Sequence, residues 1–546
     1  MKILNLYAGI GGNRKLWGDK HEVTAIEIDP INLARSVWQD IYINTGKEPT
    51  KCLYNVVELF IFKFLSDLGV LVRDKSFYHL IQMYEDKYPN KEVLEHYAQK
   101  CRKEIRDLFP AGDDGTTIIN GTIFVDSKGK PVASQANLFR KSILKYAEFG
   151  SLKHIKKEFK TKLFETFLKQ SDKKNKLGQF FTPRKVVRAI VDMANVEKAN
   201  YICDPFCGVG GFVLEPIHNS NLKKQFSPKG KSINPKIKLS GYDRGSDEDE
   251  ERTIILAKAN MLIYLSDLVE KNPTLTEKFS EIFNNTFHLI TSSNLGSLRL
   301  KFEKEEDKPD LILTNPPYIS SGAKSIRDEV KVEGLEDEFI ESGKGVEGLA
   351  LKWIINNLRK NGNAFIVIPD SILNVSANQN LRQELIKKCF INCIISLPVK
   401  TFFNTPKKTF IIGITKKNAD SEEEFNTIKQ DFPVFTYLVS NIGETLDANR
   451  FEIEGESDLE KAKNLYNQYK GASSSFETDD KRCKIQPFSK FKKEKYWELE
   501  KWWTQEEKIE LGIEEQPEAL SIDEFKEKIE DFSSKLKEYK SLLEDL

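Results

Sequence analysis

Asn315-Pro316-Pro317-Tyr318 closes the run Asp310-Leu311-Ile312-Leu313-Thr314, and its residue types define a specific chemistry. The short apolar run reads as a strand buried on both faces. The two prolines fix φ and remove two N–H donors, so neither a ladder nor a helix can continue there. The result is a rigid turn at the carboxyl end of a strand, where open α/β sheets bind ligands. An amide oxygen together with a backbone carbonyl can accept both hydrogens of an exocyclic amino group, and the tyrosine ring can stack on a planar base.

A second set of residues lies upstream. Asp204-Pro205-Phe206-Cys207-Gly208-Val209-Gly210-Gly211-Phe212 follows a strand and opens a helix. Gly208, Gly210 and Gly211 let the main chain pass close to a bound cofactor, and Asp204 can meet a cationic group. Gly241-Tyr242-Asp243 ends the next strand with an acid placed for ribose hydroxyls. Dinucleotide enzymes use a similar glycine loop, but nicotinamide chemistry leaves the Asn-Pro-Pro-Tyr turn unexplained. A cytosine-C5 methylating enzyme needs a catalytic cysteine after proline, and no Pro-Cys pair is present. Cytosine-N4 methylation uses the same turn logic as adenine-N6 methylation, and the leading asparagine favours adenine.

Gly178-Gln179-Phe180-Phe181-Thr182-Pro183, the glycine loop and Asn315–Tyr318, in that order, resemble the adenine-N6 DNA methyltransferases of the type I modification-subunit kind. The likeness runs from about Leu33 to Asp447. It implies that S-adenosylmethionine meets Gln179, Phe180, Phe181, Thr182, Pro183 and Arg184, then Asp204, Pro205, Gly208, Gly210, Gly211 and Asp243. It also implies catalysis by Asn315, Pro316, Pro317 and Tyr318, with Tyr318 stacked on an extruded adenine and Phe181 walling its pocket. Where that family often carries an acid after its third strand, this chain has Ser292-Ser293-Asn294. Partners implied are double-stranded DNA, a specificity subunit and a restriction subunit. A self-sufficient DNA methyltransferase and a non-catalytic scaffold of the same fold are the competing readings.

Positioning these residues requires a sheet. Strands expected at Tyr201–Cys203, Ile237–Tyr242, His288–Thr291, Leu311–Thr314, Ala364–Ile368, Ile391–Leu397 and Phe410–Thr415 alternate with helices. The fold expected is α/β: a seven-stranded Rossmann-like methyltransferase sheet with an N-terminal helical domain and a C-terminal helical extension. Residues 1–32 read as a βαβ leader with its own glycine loop, a remnant too short to bury its faces. Residues 33–174 read as mostly helical, with short strands at Thr117–Asn120 and Thr122–Val125. Residues 175–440 hold the catalytic motifs, and residues 441–546 form a partner-binding region. Its last stretch places Phe525, Ile529, Phe532, Leu536, Tyr539 and Leu542 on one helix face, while Trp497, Trp502 and Trp503 mark a small cluster.

Composition narrows the class. An apolar fraction of 39 % supports a sizeable core, and 83 basic against 83 acidic residues leave no global field for nucleic acid. DNA contact therefore falls to local patches, such as the basic run from Lys156 to Lys185, or to a partner. The seven cysteines lack neighbouring histidines for a zinc site and read as buried thiols of a cytoplasmic protein. No metal is expected, no apolar run is long enough for a membrane, and neither a P-loop nor a nuclease pattern appears.

Overall fold

The computed structural model describes residues 2–5, 22–25, 30–153, 182–245, 253–318, 323–402, 407–447, 450–514 and 522–544. Lys2–Asn5 (β1) and Glu22–Ala25 (β2) pair in parallel, Lys2 opposite Glu22, as a separate two-stranded sheet. The predicted helix at His154–Lys169, the basic run from Lys156 to Lys176, and Gln179, Phe180 and Phe181 lie outside the described residues.

The main sheet is built from Tyr201–Asp204 (β3), Lys238–Arg244 (β4), Phe287–Ile290 (β5), Leu311–Thr314 (β6), Asn363–Pro369 (β7), Cys389–Ser396 (β8), Thr409–Lys416 (β9), Val434–Leu438 (β10) and Cys483–Gln486 (β11). Every residue of β3 and β6 is buried, as continuous apolar runs require when helices cover both faces. The strand order is β11-β10-β8-β9-β7-β6-β3-β4-β5. The strands from β5 to β7 are parallel neighbours, β9 runs antiparallel between β7 and β8, β10 is parallel to β8, and β11 is antiparallel to β10. All seven predicted strands are present, but the expected count of seven is too low: among the described residues the sheet has nine. β10 and β11 extend it beyond β8. β11 was missed because Ser473–Arg482, just before it, reads as a charged linker, and a four-residue edge strand carries almost no period of its own.

The helical region before the sheet is organised by the helix Pro49–Asp67. Fifteen of its residues, Cys52 to Ser66, are buried, among them Asn55, Glu58 and Lys63. Those polar groups explain a second difference. Thr117–Asn120 and Thr122–Val125 do not form strands; beyond a single bridge, Val125 to Pro131, their backbone pairs with side chains instead. Gly121 N–H donates to Glu58 Oε2 at 2.8 Å and Ile123 N–H to Asn55 Oδ1 at 3.1 Å. Glu58 also accepts from Arg102 Nε at 2.7 Å and from the Tyr97 hydroxyl at 2.8 Å, and Arg102 Nη2 reaches the Gly121 carbonyl at 2.8 Å. The loop thus satisfies its buried amides without a ladder.

Helical region and sheet meet at β5. Asp114 Oδ2 accepts the edge-strand amide of Leu289 at 2.9 Å, and buried Lys258 links Asp114, the Thr116 carbonyl and Asn284. The chain divides into two units: Met1–Thr478 with Cys483–Trp497, and Asp479–Arg482 with Glu498–Leu546. The tryptophan cluster is split accordingly. Trp497 is buried in the first unit, donating to the Phe491 carbonyl at 3.0 Å. In the second unit Trp503 donates to the Lys481 carbonyl at 2.8 Å, and the helix Ile522–Glu544 exposes Ile522, Phe525, Ile529, Phe532 and Leu536. All seven cysteines are buried free thiols. Among the described residues no helix is long and apolar enough to cross a membrane.

Removing the Glu58 carboxylate leaves Arg102 buried without its counter-charge. Glu58→Ala is therefore expected to lower stability by about 3–5 kcal/mol, read by denaturant unfolding; a change within experimental error would refute the role given to this network.

Candidate active site

β3 and β6 pair through only two residues each, Ile202 with Leu311 and Cys203 with Ile312. Beyond that point a side-chain bond takes over: Thr314 Oγ1 donates to Asp204 Oδ1 at 2.6 Å, with both residues buried. Phe206 N–H donates to the same Oδ1 at 3.0 Å, which folds the chain into the turn at Pro205. Among the described residues Oδ2 has no hydrogen-bond partner. Burial pushes the Asp204 carboxyl up to about 7, and the nearby Asp243 adds to this, against the two hydrogen bonds. The last residue of β3 is thus a carboxyl group held by neutral donors, with no basic side chain paired to it among the described residues.

The glycine loop follows directly. Cys207 N–H bonds the Tyr242 carbonyl of β4 at 2.8 Å, and Gly210 N–H bonds the Cys207 carbonyl at 2.8 Å. Gly208 and Gly210 have φ of +50° and +84°, in the left-handed region that favours glycine. A Cβ on Gly210 would come within 2.8 Å of the Phe287 ring, whereas one on Gly208 would meet nothing within 4 Å. The loop therefore rests on β5 at Gly210 and faces open space at Gly208. Gly211 opens the short helix Gly211–Leu214, and Asn260 Nδ2 donates to the Val209 carbonyl at 3.1 Å. At the end of β4, Asp243 accepts from the Thr253 hydroxyl and the Arg244 amide, and burial raises its carboxyl.

Asn315 follows Thr314, one residue beyond the Asp204 bond. Its Nδ2 donates to Thr182 Oγ1 at 3.0 Å, so the Thr182-Pro183 segment meets the turn itself. Its Oδ1 accepts from the Tyr318 hydroxyl. Tyr318 is 4 % exposed, its hydroxyl also lies 3.3 Å from the Val367 carbonyl, and its ring stands edge-on to Phe402 at 6.3 Å. Burial drives its hydroxyl pKa well up, and the Glu347 charge adds to this. The ring expected to face a base is thus packed inside. Pro316 is buried and Pro317 half-buried. Arg184 heads the helix Arg184–Ala194, with Nη2 donating to the Tyr264 hydroxyl at 3.0 Å and lying 3.6 Å from Glu215.

The structure therefore brings Thr182, Asp204, the glycine loop, Asp243 and Asn315–Tyr318 to the carboxyl ends of β3, β4 and β6. Arg184 is committed to Tyr264 and Glu215. Sequence reasoning missed Thr314, Asn260 and Phe287, each of which reads as an ordinary buried strand or helix residue. In the segment Ser292-Ser293-Asn294, the Ser293 hydroxyl binds the Glu333 carboxylate and the Asn294 carbonyl accepts from Arg244 at 3.0 Å.

The Asp204 environment gives a sign-defined pH effect. Its folded-state pKa is raised, so its contribution to stability is present below about 4 and is lost as pH rises through about 7. Asp204→Asn keeps Oδ1 for both donors and removes the buried charge. The ligand-free variant is expected to gain on the order of 1–4 kcal/mol over wild type at pH 8 and little at pH 4. Equal stability differences at both pH values in denaturant titrations would contradict this.

The fold is shared with solved structures. It superposes on a type I restriction-modification system methyltransferase subunit from Streptococcus thermophilus with TM-score 0.56 and 17 % identity, covering 84 % of this chain and 96 % of that one. A chain from a structure describing assembly and conformational transition of the type I R-M system gives TM-score 0.51 and 16 % identity, covering 95 % and 99 %. In sequence, the type I restriction enzyme StySPI methylase subunit of Salmonella potsdam is 21 % identical over 281 residues, 50 % of this chain and 47 % of that protein. The chain spans about half the length of the curated relatives first matched. The model of the N-6 DNA Methylase family matches residues 156–510, a span that holds the Asp204 turn, the glycine loop and Asn315–Tyr318. With well over half of its length matched, the chain belongs to the N-6 DNA methylase family.

Proposed function

We propose that this chain transfers a methyl group from S-adenosylmethionine to the N6 amino group of adenine in DNA, as the modification subunit of a restriction–modification system. The observation that carries the reading is the Thr314–Asp204 bond. It sets the Asn-Pro-Pro-Tyr turn one residue from the carboxylate that begins the glycine loop.

The site fits that cofactor. Asp204 offers an unpartnered carboxylate oxygen for an ammonium group, Gly208 faces open space where a side chain would intrude, and Asp243 provides acceptors for ribose hydroxyls. When bound, S-adenosylmethionine supplies an electrophilic methyl on a sulfonium. The chain's own part is orientation. Asn315 Oδ1 and the Pro316 carbonyl accept the two amino hydrogens of an adenine extruded from its stack, which leaves the nitrogen lone pair free to face the donor. Thr182 holds the other end of the Asn315 amide, so the acceptor oxygen is fixed in direction. Tyr318 must leave its contact with Phe402 before its ring can stack on the base. No side-chain nucleophile takes part.

Recognition of the DNA sequence is assigned to a partner subunit. The helix Ile522–Glu544 supports this: its exposed residues Ile522, Phe525, Ile529, Phe532 and Leu536 fall at alternating three- and four-residue steps, the seam of a coiled coil. All five side chains are exposed, the placement that helix-to-helix association with a partner requires.

Asn315→Ala is expected to cut methylation at least about 100-fold while cofactor affinity, measured by calorimetry, stays within a few-fold. Undiminished methylation would end the assignment of the turn. Phe525→Asp combined with Phe532→Asp is expected to abolish association with the co-expressed specificity subunit without changing cofactor affinity; a complex that still elutes together in gel filtration would remove the helix from the interface.

A further inference from the structure

A cavity of about 410 Å³ opens at the opposite ends of the strands from the candidate site, independent of the reading above. Lys416, the last residue of β9, lines it, and the neighbouring Thr415 lies opposite Asn363, the first residue of β7. The catalytic turn follows the carboxyl end of β6, so this cavity sits at the amino ends of the parallel strands.

Lys308, Lys352, Lys360, Lys388 and Lys416 all line this cavity. The carboxylates around it are largely spoken for. Glu305 pairs with Lys308 at 3.2 Å, Glu338 with Lys301 at 3.0 Å, and Asp420 with Lys360. Glu384 serves two cations, Lys352 at 2.7 Å and Lys388 at 2.8 Å, and Glu422 is likewise shared between Lys387 and Lys388. Asp337 stands exposed at the rim.

Lys416 is different. It is 7 % exposed, it forms no ion pair among the described residues, and its Nζ has one acceptor, the Ile355 carbonyl at 2.5 Å. The Phe425 ring centroid lies 5.3 Å away. An ammonium carries three donors, so among the described residues two find no protein acceptor and are left to whatever fills the cavity. Burying a cation without a counter-ion is costly, and proteins answer by neutralising the group or by binding an anion. Burial lowers the Lys416 pKa to about 8, with Lys388 and Lys308 acting in the same direction and Cys389 and Glu384 opposing them. The group is therefore still mainly protonated at neutral pH. A charge of one sign, unpaired and recessed in a roomy polar cavity, needs a small ligand of the other sign.

We infer that this cavity binds a phosphate group, free or as the terminal phosphate of a mononucleotide, with the Lys416 ammonium as its buried anchor and Lys308 and Lys360 at its mouth. The recess suits a phosphate monoester, whose charge is concentrated at a chain end, over the diester backbone of a duplex. Occupation would tie β9 to the helix Gly345–Asn357, which carries Ile355 and Lys352, and so brace the sheet at the strand ends opposite the catalytic turn.

The test uses the full chain and thermal unfolding in sodium phosphate against sodium chloride at equal ionic strength, with adenosine 5′-monophosphate in a third arm. Phosphate is expected to raise the wild-type midpoint by about 2 °C or more, with the gain fading as pH rises through 8. A response to phosphate but not to the mononucleotide assigns the site to the free ion, and a stronger response to the mononucleotide assigns it to the ester. Lys416→Met should lose the gain while remaining at least as stable as wild type in chloride, because a thioether replaces an uncompensated cation. General salting effects move both proteins alike. Lys308→Gln, at the rim, should reduce the gain and guards against a folding defect in the first variant. No wild-type shift with either phosphate source, or equal shifts in wild type and Lys416→Met, would overturn the inference.

Discussion

The hydrogen bond from Thr314 to Asp204 is the constraint on which the site depends. β3 and β6 are central neighbours in the sheet, and the strand order runs away from them on both sides, toward β4 on one and β7 on the other. At such a switch point the loops leaving the two strands diverge and open a crevice. Backbone pairing between β3 and β6 ends at Cys203 and Ile312, so nothing in the ladder fixes the separation of the two loops. The Thr314 hydroxyl does so, at 2.6 Å, in a buried setting where a hydrogen bond to a carboxylate is strong. The glycine loop and the Asn-Pro-Pro-Tyr turn are held at a fixed distance because one short side chain spans the gap.

Around this bond the sheet is braced at its ends. At the β5 edge, Asp114 takes an amide that would otherwise face outward, and Lys258 neutralises it from behind. An exposed edge is a pairing hazard, and here a loop of the helical region covers it. The same edge strand carries Phe287, on which the glycine loop rests, so the helical region supports the loop at one remove. At the other end β10 and β11 carry the sheet beyond β8.

The turn itself is captured in a self-satisfied state. Asn315 has both ends of its amide engaged, by Thr182 and by Tyr318, and Tyr318 is packed against Phe402. An amide oxygen in a partly buried site needs a donor, and the tyrosine hydroxyl supplies one. Under the proposed function this arrangement has to change for a base to enter.

Much of this was legible in residues alone. Asn315–Tyr318, Asp204–Gly211 and Asp243 stand out because prolines, glycines and strand-end acids have few structural uses in that order, and the seven expected strands show as apolar runs between helical periods. Tertiary structure decided the rest. Thr314, Asn260 and Phe287 are ordinary core types in sequence, and only the pairing of distant strands gives them partners. The segment 117–125 has strand-like composition, yet Asn55 and Glu58 reach it first from a buried helix, and a side-chain acceptor in place removes the need for a ladder. β11 became a strand because β10 offered it an edge. Local residue types set what each segment can do, but a hydrogen bond between positions far apart in the chain exists only once the fold has brought them together.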